Sequence, residues 1–160
     1  MDLVQRFLQL APDTIKVQDN ILGYLPLHLA LLYEASSDVI NILFQAYPQA
    51  AKVQNKYGLP LHLALQYKYS SDVINMLFNA YPKATEVQDS SGWLSLHTAL
   101  CFRASSDVTT MLFKAYPKAI EVKNKEGCLP FHIALYRSAS HDVIQLLFQA
   151  YPQAAEVQDD

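Results

Sequence analysis

Hydrophobic positions along the chain alternate between two helical patterns separated by short polar breaks. In the first pattern Leu27, Ala30 and Leu31 fall at i, i+3 and i+4, one buried stripe of a helix about two and a half turns long. Pro26 stands at its expected first position, where a proline loses no internal hydrogen bond and presets φ. The break Ala35-Ser36-Ser37 follows, and there serine is expected to cap a second helix while Asp38 in its first turn faces the positive end of the dipole. That helix carries Val39, Ile40, Leu43, Phe44 and Ala46, an apolar face too wide for one helix pair to cover, and Pro48 ends it.

The same paragraph is written four times. The phrase Leu25 to Leu31, Leu-Pro-Leu-His-Leu-Ala-Leu, returns as Leu59 to Leu65, as Leu94 to Leu100 and as Leu129 to Leu135. Its histidines, His28, His62, His97 and His132, are spaced by 34, 35 and 35 residues. Asp38, Asp72, Asp107 and Asp142 each follow ten residues later, and Pro48, Pro82, Pro117 and Pro152 ten after those. A fixed period of this size marks stacked supersecondary elements. Four full repeats result, 17–52, 53–86, 87–121 and 122–156, with all length variation in the turn around Gly23, Gly58, Gly92 and Gly127, where a surface loop tolerates it.

Residues 2–16 align with residues 38–52, so the chain opens on a half repeat with the second helix alone. Arg6 takes a position that is Ile42, Met76, Met111 or Leu146 elsewhere, as a capping repeat with a polar outer side requires. Residues 157–160 begin a further repeat, and repeat four keeps Ile144, Leu146, Leu147 and Phe148 without polar replacement, so further repeats of the same chain are expected beyond it.

The histidine in a Pro-Leu-His-x-Ala phrase, the turn glycine before it and the two-helix period together resemble the ankyrin repeat. The resemblance implies an all-α, helix-turn-helix repeat solenoid of four full repeats and an N-terminal half repeat, forming one array over residues 1–160. It also implies that turns and first helices line one concave surface that binds partners. Three departures stand out. The threonine that opens the family phrase is Leu25, Leu59, Leu94 or Leu129 here, which removes a capping hydroxyl and leaves the histidine's partner open. The glycine between the helices is absent, and Ala-Tyr-Pro replaces Gly-Ala after the second helix.

Composition narrows the functional classes. The 160 residues are 51% hydrophobic and 17% charged, an ordinary globular balance. With 12 basic and 15 acidic side chains and a net charge of −3, the chain lacks the basic excess that holds nucleic acid. No apolar run approaches the roughly 20 residues that span a bilayer, so no membrane insertion is expected. The N-terminus lacks the basic start and unbroken apolar core of a signal peptide, which reads as intracellular, cytoplasmic placement. Cys101 and Cys128 have no metal-binding or redox spacing and are expected to remain thiols.

Candidate chemistry is sparse. Neighbouring helices pack about 8–10 Å apart, too far for nitrogens of successive histidines to share one zinc. The four histidines, with Gly58, Gly92 and Gly127, therefore read as structural, each imidazole pinning its turn through backbone bonds. No phosphate loop, nucleophile elbow or zinc-protease motif occurs, so the chain reads as non-enzymatic, with no cofactor and no metal.

What remains are positions where the repeats disagree. They gather in the turn, at Tyr24, Tyr57, Trp93 and Cys128, and at the end of the first helix, at Tyr33, Tyr67, Lys68, Cys101, Phe102, Arg103, Tyr136 and Arg137. Aromatic residues beside arginine are the composition of interface hot spots. Tyr24, Tyr33, Tyr57, Tyr67, Lys68, Trp93, Phe102, Arg103 and Arg137 are therefore the candidate contacts for a partner protein. Two alternatives stand beside this. In one the aromatic row packs on itself, and in the other the chain is a structural or docking subunit of a large assembly.

Overall fold

The computed structural model describes residues 12–155, and among them the protein is all-helical, with eight α-helices and no strand. The helices are α1 Pro26–Leu32, α2 Ser37–Ala46, α3 Pro60–Gln66, α4 Ser71–Ala80, α5 Ser95–Cys101, α6 Ser106–Ala115, α7 Pro130–Tyr136 and α8 His141–Ala150. Arg6, most of the N-terminal half repeat and residues 157–160 lie outside the described residues.

The start of each first helix is set by the histidine. The N-cap leucine is extended and has no side-chain acceptor. Nδ1 of the imidazole three positions on accepts the leucine's own N–H instead, at 3.1–3.2 Å in all four repeats. This is the returning half of a capping box with histidine in place of the usual Glu or Gln. Repeat three has Ser95 where the others have proline, and its hydroxyl donates to the Ala84 carbonyl at 3.2 Å.

The serine expected to cap each second helix does so. Oγ of Ser36, Ser70, Ser105 and Ser140 accepts the N–H of Val39, Val73, Val108 and Val143 at 3.3–3.5 Å. Between the two helices the chain closes a Schellman motif, with Ala35 N–H on Ala30 O at 2.9 Å and Glu34 N–H on Leu31 O at 3.3 Å. The motif needs a left-handed residue. Glu34, Lys68, Arg103 and Ser138 supply it at φ 52–59°, a conformation that favours glycine. Replacing Lys68 by Gly should therefore stabilise the protein by about 0.5–1 kcal/mol, and Lys68→Val should destabilise it. Urea midpoints of the two variants check this, and a loss in the glycine variant would show the strain to be absent.

The segment after each second helix differs from a plain loop. Pro48–Lys52, Pro82–Glu86, Pro117–Glu121 and Pro152–Ala155 are 3₁₀ turns with a preset proline φ and small buried residues such as Ala50, Ala84, Ala119 and Ala154. Pro48–Lys52 packs against α2, α3 and α4 and Pro82–Glu86 against α5 and α6, whereas Pro117–Glu121 packs on α6 and α7 and Pro152–Ala155 on α7 and α8.

The described residues form two compact units, one ending at Tyr81 and one beginning at Pro82. In the first, α1 packs on α2 and α3, and α3 on α4. Its core is Leu27, Leu31, Ile40, Leu61, Leu65 and Leu77. Tyr69, where the other repeats have alanine, sends its hydroxyl to the Ala35 carbonyl at 2.9 Å and the Ala30 carbonyl at 3.1 Å, closing the exposed end of α1. Burial, with the Glu34 carboxylate second, raises the pKa of this phenol. In the second unit α5 packs on α6 and α7, and α7 on α8, around Leu96, Leu100, Phe131, Ile133, Val143 and Leu147. Buried Ala99 and Ala134 allow α5 and α7 to close on each other.

Candidate functional site

The two variable stations converge in space. In the first unit the ring of Tyr24 lies 6.1 Å from that of Tyr57 and meets His28 edge-on at 6.2 Å. Burial raises the Tyr24 pKa, and the phenols of Tyr57, Tyr67 and Tyr33 add to the shift, so the four tyrosines share one neighbourhood. They are not equivalent. Tyr24 is only 6% exposed, which removes it from the candidate contact surface and makes it the packing layer over the histidine. Tyr57 is 45% and Tyr33 78% exposed, Tyr67 is half-buried and Lys68 is exposed. The aromatic row is thus packing at its Tyr24 end and surface at its Tyr33 end.

The turn beneath this cluster is held by acidic or amide side chains. Asp19 accepts N–H groups of Leu22 at 2.8 Å, Ile21 at 2.9 Å and Tyr24 at 2.6 Å. Those bonds, led by the one from Leu22, hold its carboxyl below the ordinary range. Asn55, Asp89 and Asn124 repeat the device. Turns of successive repeats then join through backbone, Lys56 N–H to Leu22 O at 3.1 Å and Lys125 N–H to Ser91 O at 3.0 Å. Gly92, at φ +78°, is needed here, because a Cβ on it would stand 3.0 Å from the Lys125 nitrogen. Gly58 and Gly127 are also left-handed and buried.

The histidines are fully engaged by the scaffold where both nitrogens are visible. His28 accepts the Leu25 N–H on Nδ1, so its proton sits on Nε2 and is donated to Val53 O at 3.0 Å. His132 does the same with Leu129 and Ala154 O at 3.3 Å. Burial pushes the His28 pKa down to about 4, against a smaller upward pull from the Val53 bond. Both nitrogens of His28 and of His132 are thus spent on backbone. Among the described residues no cluster of three or more His, Cys, Asp or Glu side chains is placed to hold a metal ion.

In the second unit the stations open a cavity of about 280 Å³ between α5 and α7. Trp93 and Arg137, both expected contacts, lie in its wall together. Cys101, Cys128, Tyr136 and Asn124 join them, and these the candidate list omitted. The two cysteines, half-buried and not joined in a disulfide, thus share one wall. Arg137 donates to Cys101 Sγ at 3.2 Å and lies 5.4 Å over the exposed ring of Tyr136. Phe102 is half-buried, while exposed Arg103 lines a separate hollow of about 190 Å³ with Ser105, Ser138 and Ser140.

No protein-family model matches this chain, and no curated protein matches it significantly. No helix among the described residues is long and apolar enough to cross a membrane.

Proposed function

We propose that the chain is an ankyrin-type repeat array that works without catalysis, binding another protein through the surface made by its turns and first-helix ends. The observation that carries this reading is where exposed aromatic area and scaffold bonding separate. Tyr33 at 78% and Tyr136 at 82% exposure stand at the stations where the repeats differ, the stations that in sequence also hold Lys68, Arg103 and Arg137. The histidines, serine caps and 3₁₀ turns, which recur unchanged, spend their polar groups on the backbone. Large aromatic rings held out by a rigid scaffold, next to guanidinium groups, are the usual anchors of a protein interface. Period, proline-first helices and the histidine phrase support the ankyrin-type arrangement.

Placing a photo-cross-linking amino acid at Tyr33 or at Tyr136 tests the reading against the same label at Gln45 and Lys114, exposed on second helices. Adducts to a partner should form from the first two positions. Equal adducts from Gln45 and Lys114 would overturn the reading and favour a subunit embedded in an assembly through its other face.

A further inference from the structure

The cavity between α5 and α7 has features that select what enters it. Its size is the first: a cavity of about 150 Å³ accepts a benzene ring, and drug-sized ligands occupy about 300–1,000 Å³. At about 280 Å³ the cavity suits one aromatic side chain rather than a whole cofactor. Trp93, Ile133 and the thiols of Cys101 and Cys128 give it soft apolar walls.

Polar groups at the same cavity lack acceptors. The Arg137 guanidinium touches a thiol and an aromatic ring, neither of them an anion, and among the described residues the sole salt bridge is Lys16 to Asp13. Most of its five donors therefore remain available in the planar fork that matches a carboxylate. Asn124 also lines the cavity. It is 6% exposed, and its Oδ1 accepts the N–H of Glu126 at 3.0 Å and of Cys128 at 2.9 Å, which fixes the amide orientation. Its Nδ2 is buried with no hydrogen-bond partner among the described residues. Asn55 holds the equivalent turn with the same unmatched nitrogen, so the turn imposes the orphan, and only at Asn124 does the residue line this cavity. Glu126 also lines the cavity and repels an anion, so an incoming carboxylate is favoured only beside Arg137.

We propose that this cavity receives an acidic peptide segment of a partner protein, one aromatic side chain entering against Trp93 and the adjacent carboxylate pairing with Arg137. The inference rests on the partner-binding reading and names the chemistry of the partner.

Trp93 is the chain's only tryptophan, so its fluorescence reports occupancy directly. The whole chain is titrated with the amidated, acetylated tetrapeptide Asp-Phe-Asp-Asp, with its Lys-Phe-Lys-Lys and Asp-Ala-Asp-Asp counterparts, and with phenylacetate. The acidic aromatic peptide should change Trp93 emission saturably, and the other two peptides should bind about tenfold more weakly or worse. Exposed Arg137→Gln should weaken the acidic peptide by about tenfold with its thermal midpoint unchanged, and Cys101→Leu, which fills the cavity, should remove the response. Equal binding of the acidic and basic peptides, or unchanged affinity in Arg137→Gln, overturns the proposal. Phenylacetate binding as tightly as the peptide also overturns it and makes the cavity a small-molecule site. If no peptide binds while adducts still form from Tyr33 and Tyr136, the cavity assignment falls and the partner-binding reading stands. If neither occurs, both fall.

Discussion

Acidification from pH 7 to pH 4 is expected to remove roughly 3 kcal/mol of stability through His28 alone, since each unit of pKa shift corresponds to about 1.36 kcal/mol. The imidazole is 0% exposed, and both of its nitrogens are committed in the neutral state. Nδ1 must stay unprotonated to accept the Leu25 N–H, so a second proton would break that bond as well as bury a charge. Burial therefore lowers the pKa from 6.5 to about 4. The sign follows directly. Above pH 6.5 folded and unfolded chains are both neutral at this site, and the contribution is fully present. Between 6.5 and about 4 only the unfolded chain takes up the proton, so stability falls as pH falls, and below about 4 both states are protonated and the loss is complete. Urea unfolding at a series of pH values, repeated on His28→Gln, isolates the effect as the difference between the two curves. An NMR titration placing the His28 pKa near 6.5 would refute it.

Much of this scaffold was legible in the sequence, because its signals are local. Pro26 and the stripe Leu27, Ala30 and Leu31 placed the first helices, and Ser36 with Asp38 placed the start of the second. Those residues act within one turn of where they stand. The four left-handed positions were not legible. Such a site is normally announced by glycine, and Glu34, Lys68, Arg103 and Ser138 announce nothing, since packing of the helix pair overrides local preference. Tyr69 was not legible either, because the carbonyls it closes lie 34 and 39 residues earlier. Tyr24 was taken for surface on its variability alone, yet a turn residue can vary while packing on an unvarying neighbour, here His28. The cavity follows the same logic. Comparing repeats located both stations, but only folding brings Cys101 and Asn124 to one wall.

The N-cap leucine offers no side-chain acceptor, so the histidine alone returns a bond to the start of its helix. His97 is 0% exposed at the third position of α5, where its Nδ1 accepts the Leu94 N–H at 3.2 Å and its ring lies 6.2 Å from that of Trp93. Because Leu94 carries no acceptor, truncation to alanine leaves a buried N–H without a partner, at a cost of about 1–3 kcal/mol, and removes a fully packed ring besides. His97→Ala should therefore cost about 4 kcal/mol, a large share of the 5–15 kcal/mol that holds a domain folded. His97→Gln separates the two contributions. Glutamine at the third helical position is the usual partner of a capping box, and its Oε1 can reach back to the Leu94 N–H. It should recover about half of the loss, the part due to the hydrogen bond, while leaving the lost ring packing unrepaired. Paired urea denaturation of the two variants reads the difference. If glutamine destabilises as much as alanine, the imidazole serves only as packing and the capping role assigned to the row is wrong. If alanine costs less than about 1 kcal/mol, the motif repeated four times along the chain is not what holds its helix starts in place.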